Sequence, residues 1–210
     1  MNIIIDYGIG NVFSVQRSIE HCGVQNVKLS SDPDEIYNSD RLILPGVGAF
    51  KDGMDELKIR NLVEPIKESI TKGTPLLGIC LGMQMLATSS TENGFHDGLN
   101  FISGKVESII DKRVVNENNI KVPYIGWANI SVKHNNENIL SSIDSDKKYL
   151  YLVHSYHVKT LHNQHTIGVY SYGGVEITAA IQNENIIGFQ FHPEKSGEIG
   201  IEILNRFLQL

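Results

Sequence analysis

The chain has 210 residues, a formal net charge of −6 and a mean hydropathy of −0.13. Hydrophobic residues make up 41% and charged residues 20%, which is ordinary globular usage and excludes a disordered tail, a coiled coil, a collagen and a disulfide scaffold. No apolar run approaches the roughly 20 residues of a membrane helix. The small excess of acidic residues also differs from the basic surface that is typical of nucleic-acid-binding proteins. We therefore expect a cytoplasmic protein with one domain over residues 1–210 and neither a membrane nor a nucleic-acid partner.

Short apolar runs alternate with helical patterns through the first half of the chain. The predicted strands are 3–5, 26–29, 42–44 and 76–79, and the predicted helices are 12–22, about 52–71 and 81–87. Uninterrupted apolar strands separated by helices are typical of a parallel sheet that is covered on both faces. The sequence thus predicts an α/β fold with an open, mostly parallel sheet and helices on both faces.

The second half of the chain is richer in strands. The predicted strands are 104–110, 121–127, 149–153, 166–172, 177–182 and 186–191. Gly173-Gly174 indicates a hairpin turn, the Asn-rich stretches at 116–119 and 135–138 indicate connections, and 200–208 is an amphipathic helix. We expect these strands to complete the same domain.

One cysteine lies in a pattern that activates thiols. Gly-Ile-Cys-Leu-Gly at 78–82 follows an apolar strand and leads into a helical pattern, which is the thiol form of a nucleophile elbow. The two glycines allow the close backbone approach of this turn, and the helix N-terminus favours the thiolate of Cys80. The amide of Leu81 is then free to donate to an oxyanion. The alternative is a buried structural cysteine, which is our interpretation of Cys22.

A base for this thiol is predicted near the end of the chain. Gln-Phe-His-Pro-Glu at 190–194 follows an apolar strand, and in extended backbone residues i and i+2 point to the same side. His192 would hold the proton of Cys80, and Glu194 would orient the imidazole and stabilise its cation. None of the other seven histidines is followed at i+2 by a carboxylate. The alternative is a surface histidine and glutamate at a strand end.

Two glycine-rich segments also follow apolar strands. Leu-Pro-Gly-Val-Gly-Ala-Phe at 44–50 has glycine on both sides of Val47, and such a loop can aim amides at a developing oxyanion. It lacks the Lys-Ser/Thr of a phosphate loop, and Asp-Tyr-Gly-Ile-Gly-Asn at 6–11 lacks the full dinucleotide fingerprint. No cysteine and histidine spacing in the sequence is typical of zinc. We therefore expect no nucleotide, metal or other cofactor.

With these motifs together, the chain resembles the class I, or triad, glutamine amidotransferases, and among them the glutaminase subunits of imidazole glycerol phosphate synthase. The matching stretches occur in the family's order: 6–11, 44–50, 78–84 (Gly-Ile-Cys-Leu-Gly-Met-Gln), 125–127 (Ile-Gly-Trp), 153–156 (Val-His-Ser-Tyr) and 190–196 (Gln-Phe-His-Pro-Glu-Lys-Ser). They are spread over almost the whole chain. The resemblance implies the fold of this class and hydrolysis of L-glutamine to glutamate and ammonia.

The resemblance also implies a role for each matching residue. Cys80 would attack the side-chain amide of glutamine to give a glutamyl thioester. His192, oriented by Glu194, would protonate the leaving ammonia and then activate water. The oxyanion would be held by the amide of Leu81 and, after a rearrangement of its loop, by the amide of Val47. The residues that would line the glutamine site are Gly48, Gln84, Glu92, His154, Ser155 and Tyr156.

A partner subunit is implied as well. In this family the glutaminase is almost silent until a synthase subunit with a (βα)₈-barrel fold docks and binds its ligand, and ammonia then passes through the barrel. The resemblance therefore implies a heterodimer of histidine biosynthesis that makes imidazole glycerol phosphate and AICAR. Positions at or near that interface are matched by Asn11, Trp127, Tyr151 and Lys195.

One stretch departs from the family pattern. The family usually reads Gly-Trp-Asn, whereas this chain reads Gly-Trp-Ala-Asn at 126–129, a stretch expected on the partner-facing side. A paralogous glutaminase whose synthase-like partner aminates a sugar nucleotide for surface polysaccharide is therefore the alternative. A non-catalytic subunit is disfavoured by the intact Cys80, His192 and Glu194. An independent cysteine hydrolase is disfavoured by the residues that match a glutamine site.

Overall fold

The computed structural model describes residues 1–110, 120–133, 138–141, 143 and 149–210. The Asn-rich residues 116–119 and 135–137 lie outside these ranges. The strands are β1 (Asn2–Ile5), β2 (Val27–Ser30), β3 (Arg41–Gly46), β4 (Leu76–Cys80), β5 (Ala87–Ser90), β6 (His96–Asp97), β7 (Ile102–Ser108), β8 (Tyr124–Asn129), β9 (Ser131–Val132), β10 (Tyr149–His154), β11 (Tyr156–Thr160), β12 (Thr166–Tyr172), β13 (Val175–Asn183) and β14 (Ile186–Phe189). The helices are α1 (Val12–His21), α2 (Pro33–Tyr37), α3 (Phe50–Ile59), α4 (Val63–Thr71), α5 (Leu81–Met85) and α6 (Gly197–Phe207).

Eight strands form one large sheet in the order β2-β1-β3-β4-β14-β13-β12-β9. The first five run parallel to one another, and the last three continue the sheet in antiparallel pairs. The predicted α/β fold with a mostly parallel sheet is therefore confirmed. The predicted hairpin joins β12 to β13, and Gly173 and Gly174 adopt the positive φ values of 60° and 81° that its tight turn requires. Smaller sheets, β11-β7-β5-β6 and β10-β8, complete the fold.

Helices cover both faces of the large sheet. Successive side chains of a strand point to opposite faces, and in the central strands both sets of side chains are apolar and buried. In β1, Ile4 belongs to a core cluster with Ile19 of α1, whereas Ile3 and Ile5 belong to a second cluster with Leu57 of α3. The first cluster also holds the apolar residues of α6, and the second those of α2 and α4. No helix within the described ranges is long and apolar enough to cross a membrane.

The helix predicted over about 52–71 is wrong as a single element. The structure has two helices there, α3 and α4, separated by Arg60–Leu62. Asn61 between them adopts a left-handed φ of 56°, which ends α3 in the way that asparagine and glycine commonly do. The prediction also extended the helix after Cys80 to Ala87, but α5 ends at Met85 and Ala87 begins β5.

Helix α2 was not predicted from the sequence. Its start carries a strong signal, because the side chain of Asp32 accepts hydrogen bonds from the amides of Asp34 and Glu35 while Pro33 occupies the first turn. Cys22, which we interpreted as a structural cysteine, is partly buried after α1 and packs against the first core cluster.

The strand register brings three segments together at one edge of the large sheet. Gly46, at the end of β3, lies opposite Cys80 at the end of β4, and Phe189, at the end of β14, lies opposite Ile79. The loop after β3, the elbow after β4 and the segment at 190–194 therefore leave the sheet side by side. This edge, formed by the carboxyl ends of parallel strands, is where open α/β sheets bind ligands.

Candidate active site

Cys80 is the last residue of β4 and stands in a strained turn. Its backbone has φ 55° and ψ −110°, values that a residue other than glycine adopts only when its surroundings impose them. The neighbouring backbone segments approach this turn very closely. A Cβ placed on Gly82 would lie 1.8 Å from the carbonyl oxygen of Leu44. A Cβ on Gly78 would lie 2.8 Å from the backbone of Gly82. The two glycines thus permit the tight approach that presents the thiol, and α5 begins at the next residue, Leu81.

His192 and Glu194 form a buried pair beside this turn. The distance from His192 Nδ1 to Glu194 Oε1 is 2.8 Å, and the two side chains are only 3% and 1% exposed. The expected pairing is therefore present, but the extended backbone proposed for it is wrong. Residues Pro193–Lys195 form a 3₁₀ turn, because the fixed φ of Pro193 suits the first position of a helical turn.

The charge state of His192 follows from its two neighbours. Burial by itself would lower the pKa of His192, but its interactions with the Cys80 sulfur and with Glu194 raise that pKa to about 9. Nε2 is buried and makes no ordinary hydrogen bond to any described residue. Its remaining neighbour is the Cys80 sulfur, with which the ring interacts. At neutral pH the ring holds a proton that it can give to a leaving group.

A cavity of about 260 Å³ opens beside Cys80 and His192. Glu194 lies outside its lining, behind the imidazole. Pro123 and Val153 also line the cavity and were not foreseen from the sequence. The remaining lining residues are those for which the sequence predicted oxyanion or glutamine contacts: Val47, Gly48, Leu81, Gln84, Glu92, His154, Ser155 and Tyr156.

Existing hydrogen bonds limit what two of these residues can offer a ligand. Glu92 Oε2 accepts from the amide of Phe50 at the start of α3, at 2.8 Å. Gln84 Nε2 donates both to the carbonyl oxygen of Tyr156, at 3.0 Å, and to Gln190 Oε1, at 2.9 Å. The atoms that remain, one carboxylate oxygen of Glu92 and Oε1 of Gln84, are acceptors. They suit an ammonium group or an amide N–H of a ligand.

His154 is engaged at both ring nitrogens. Nδ1 lies 2.8 Å from the carbonyl oxygen of Tyr156, which can only accept, so Nδ1 carries the hydrogen. Nε2, 2.8 Å from the Tyr170 hydroxyl, is then the acceptor. Burial lowers the pKa of His154 to about 4, so the ring is neutral at neutral pH. His154 therefore shapes the cavity wall and is not available as a second base.

Buried neutral histidines should make the fold sensitive to acid. The ring of His157, whose Nδ1 accepts from the amide of Thr178, resembles His154 in that burial lowers its pKa to about 4, from an ordinary 6.5. Because the folded pKa is the lower one, the unfolded chain binds more protons between pH 6.5 and 4. The free energy of unfolding should fall across that window by up to about 1.4 kcal/mol per pH unit for each such histidine.

Urea unfolding at pH 7 and pH 5 measures this effect. His157→Gln should lose less stability than the parent chain on the same acidification, because one buried histidine no longer takes up a proton on unfolding. The control is His162→Gln at an exposed position, which should keep the parental dependence. Equal losses in the parent and His157→Gln would contradict the assignment.

The loop that carries Val47 is anchored at its base. The Tyr7 hydroxyl donates to the carbonyl oxygen of Pro45 at 2.7 Å, and burial raises the pKa of Tyr7 well above its usual range, so the phenol stays a donor. Beyond this anchor Val47 is exposed, and Gly48 has a φ of 93° with open space around it. Tyr7 belongs to the segment at 6–11, which matches the family pattern but in which only Asn11 had a predicted role.

Three of the four predicted interface residues form a cluster beside His192. The ring of Trp127, which is 52% exposed, lies 5.9 Å from the ring of Tyr151, and Lys195 Nζ lies 5.9 Å from the same Tyr151 ring. Tyr151 is in turn 6.4 Å from the ring of His192. Asn11 is exposed just before α1, a helix that contacts the turn carrying Lys195.

The exposed apolar surface is larger than the sequence analysis foresaw. Ile125 and Tyr149 are 62% and 54% exposed and stand on the two paired strands that carry Trp127 and Tyr151. The alternation along β8 was the available signal, because residues 125, 127 and 129 are exposed. Ala128, where the sequence departs from the family pattern, is buried in the core cluster. The side chain of Ala128 therefore points into the core, away from the exposed face.

Comparisons with known proteins agree with this geometry. The model of the class I glutamine amidotransferase family matches residues 3–210. The chain is 44% identical to imidazole glycerol phosphate synthase subunit HisH 1 of Legionella pneumophila strain Paris, covering 99% of this chain and 98% of that protein. It is 42% identical to subunit HisH of Geobacillus sp. strain WCH70, covering 99% and 95%.

The fold is also found among solved structures. A structure of PurLQS from Thermotoga maritima aligns with a TM-score of 0.72 at 17% identity, covering 99% of this chain and 97% of that chain. Within the described residues, no group of three or more His, Cys, Asp or Glu side chains could hold a metal ion. From the full-length family match and the identity to the HisH subunits, the chain belongs to the class I glutamine amidotransferases and, within them, to the HisH subunits of imidazole glycerol phosphate synthase.

Proposed function

We propose that this chain hydrolyses L-glutamine to glutamate and ammonia, as the glutaminase subunit of imidazole glycerol phosphate synthase. The observation that carries the proposal is the arrangement of Cys80, His192 and Glu194 at one cavity with the residues that match a glutamine site. The chain would act as one amidotransferase domain over 1–210. A cytoplasmic location is part of the proposal and suits two cysteines that are both free.

The chemistry assigns one task to each member of the triad. The Cys80 thiolate attacks the carboxamide carbon of glutamine, and negative charge develops on the amide oxygen, where the amides of Leu81 and Val47 would stabilise it. His192 gives its Nε2 proton to the nitrogen, the C–N bond breaks and ammonia leaves. His192 then takes a proton from water, which attacks the thioester, releases glutamate and restores the sulfur. Glu194 holds the imidazole in the required orientation throughout.

The cavity suits the amino-acid end of glutamine. The carboxylate oxygen of Glu92 that is not bound to Phe50 would pair with the α-ammonium group. The hydroxyl of Ser155 and the backbone amides beside it would donate to the α-carboxylate. This division places the side-chain amide of the substrate toward Cys80.

Glutamate release tests this function directly. It is measured for the chain alone, with the synthase subunit, and with the synthase subunit and its nucleotide ligand. Strong stimulation is expected only when both the subunit and its ligand are present. Glutamate release that stays at the level of the isolated chain in the presence of both would contradict the assignment to this synthase.

A heterodimer with a (βα)₈-barrel synthase subunit is part of the same proposal. The partner would cover the face formed by Trp127, Tyr151 and Lys195, with Asn11 near its border. The proposal is supported by the exposure of Trp127 and Lys195, by their contacts with the Tyr151 ring, and by the proximity of that ring to His192. Exposed aromatic side chains of this kind are typical anchors of protein interfaces.

Lys195→Ala should uncouple the two subunits more than it harms folding. Lys195 follows Glu194 directly and reaches over the Tyr151 ring, so its loss removes a contact between the partner-facing surface and the triad. We expect stimulation by the liganded synthase to fall about tenfold, within the usual range of coupling free energies. Lys67→Ala, at an exposed position on α4, is the control. Unchanged stimulation in Lys195→Ala would remove this residue from the coupling.

A further inference from the structure

A second glutamine lies against the nucleophile. Gln190 follows β14, is fully buried and precedes His192 by two residues. Its Nε2 lies 3.7 Å from Cys80 Sγ, and its Oε1 accepts from Gln84 Nε2 at 2.9 Å. The catalytic steps described above leave this side chain without a role.

The orientation of Gln190 is dictated by a backbone group. The carbonyl oxygen of Tyr156 can only accept, so it fixes the nitrogen of Gln84 on its side, at 3.0 Å. The second N–H of that nitrogen then points to Gln190, which must present its oxygen. The amide nitrogen of Gln190 is thereby turned toward the sulfur of Cys80. A flipped Gln190 would set two N–H donors against each other in a buried site.

The sulfur has different partners in its two protonation states. As a thiol, Cys80 can donate to the carbonyl oxygen of Val153, which lies 3.9 Å away. A thiolate has no hydrogen to donate, so the carbonyl group of Val153 stabilises the thiol but not the thiolate. Gln190 supplies an N–H on the sulfur in addition to the protonated His192.

We propose that Gln190 is a further catalytic residue, whose side-chain amide donates a hydrogen bond to the Cys80 sulfur and stabilises the thiolate that attacks glutamine. This inference rests on the proposed function, because it takes Cys80 as the nucleophile. A hydrogen bond to an ionised acceptor is roughly twice as strong as one to a neutral acceptor, so the contact favours the thiolate over the thiol. Full burial keeps water from replacing it.

Alkylation of Cys80 by iodoacetamide measures thiolate formation without glutamine or a partner. The experiment uses a Cys22→Ala background, so that only Cys80 reports, and follows the rate of modification by mass spectrometry as a function of pH. In Gln190→Met the rate at neutral pH should fall about tenfold, and it should approach the parental rate at high pH, where both thiols are ionised. Gln164→Met at an exposed position is the matched control. Superimposable pH profiles for the parent and Gln190→Met would overturn the proposal.

A second variant separates hydrogen bonding from packing. Gln190→Glu keeps the shape and an oxygen for Gln84 but turns an oxygen instead of an N–H toward the sulfur. We expect alkylation at neutral pH to slow at least as much as in Gln190→Met, with melting temperature recorded for each variant. Parental alkylation in Gln190→Glu, with slow alkylation in Gln190→Met, would show a packing role and overturn the proposal.

The partnered enzyme gives an independent readout. With the synthase subunit and its ligand, Gln190→Met should show kcat for glutamate release lowered about tenfold with little change in KM, because the contact is to the sulfur and not to the substrate. Glutamate release by the parent combined with unshifted alkylation in the variant would refute the role of Gln190 alone. Shifted alkylation with no glutamate release by the partnered parent would refute the proposed function and leave the sulfur contact established.

Discussion

Replacing Cys80 with alanine should lower glutamine hydrolysis by the partnered enzyme by about 10⁴-fold or more, because the thioester forms on the Cys80 sulfur. The change should leave the fold largely intact, since it removes a single sulfur atom and the hydrogen bonds that this atom makes with Val153 and Gln190. Formation of the synthase product from added ammonia should therefore continue at the parental rate. The two activities are measured on the same complex, with glutamine or with an ammonium salt as nitrogen source.

The other cysteine provides the control for this experiment. Cys22 is partly buried after α1 and is not among the residues that line the cavity, and burial raises the pKa of its thiol. Cys22→Ala should therefore hydrolyse glutamine like the parent. Near-parental glutamate release by Cys80→Ala would show that the nucleophile is wrongly assigned. Loss of the ammonia-dependent activity as well would show that the variant damages the complex instead.

Glu194→Gln should lower glutamine hydrolysis by about 10²-fold or more while changing the shape of the side chain little. Glu194 Oε1 accepts from His192 Nδ1 at 2.8 Å, which fixes the tautomer, and its charge helps to keep the ring protonated. A neutral amide removes that charge and can turn its own N–H toward the ring. Steady-state glutamate release with the liganded synthase measures the loss, and Glu198→Gln, exposed in the first turn of α6, is the control.

The pH dependence of stability gives a second test of the same pair. The pKa of His192 is raised in the folded chain to about 9. The stabilisation linked to its proton is therefore complete below the ordinary value near 6.5 and is lost as the pH rises through about 9. In Glu194→Gln the pKa of His192 should fall, so this alkaline loss should become smaller. An unchanged alkaline loss, or unchanged activity, would contradict the role of Glu194.

Short-range patterns were sufficient to predict the triad. The elbow at Cys80 is specified by glycines two residues away on either side, and the pair of His192 and Glu194 is separated by one residue. Both patterns concern backbone and side chains within a single turn. The sequence predicted a mostly parallel sheet but no strand order, so the parallel arrangement of β3, β4 and β14 that places these segments together came only from the structure.

Features that depend on distant contacts were not foreseen. The role inferred for Gln190 depends on Gln84, which is 106 positions away in the chain and is itself oriented by Tyr156. The contact of Tyr7 with the base of the loop at 45–48 spans 38 positions. Neither pair has a spacing that a sequence pattern could reveal.

Some local signals were present but not used. The Asp-Pro-Asp-Glu run at 32–35 encodes the start of α2, and the alternation at 125, 127 and 129 encodes the exposed face of β8. The break between α3 and α4 at Asn61 was harder to see, because asparagine also occurs inside helices. The 3₁₀ turn after His192 shows that one side-chain pairing can be reached from more than one backbone conformation.

Covalent capture of the nucleophile tests the central assignment most directly. A glutamine analogue that carries a diazoketone in place of the side-chain amide is incubated with the liganded complex, and glutamate release and the modified peptide are followed together. We expect one label per chain, on Cys80, in proportion to the loss of glutaminase activity, with protection by glutamine. Inactivation with the label on another residue, or full labelling of Cys80 with glutaminase activity retained, would contradict the assignment of Cys80 as the residue that attacks glutamine.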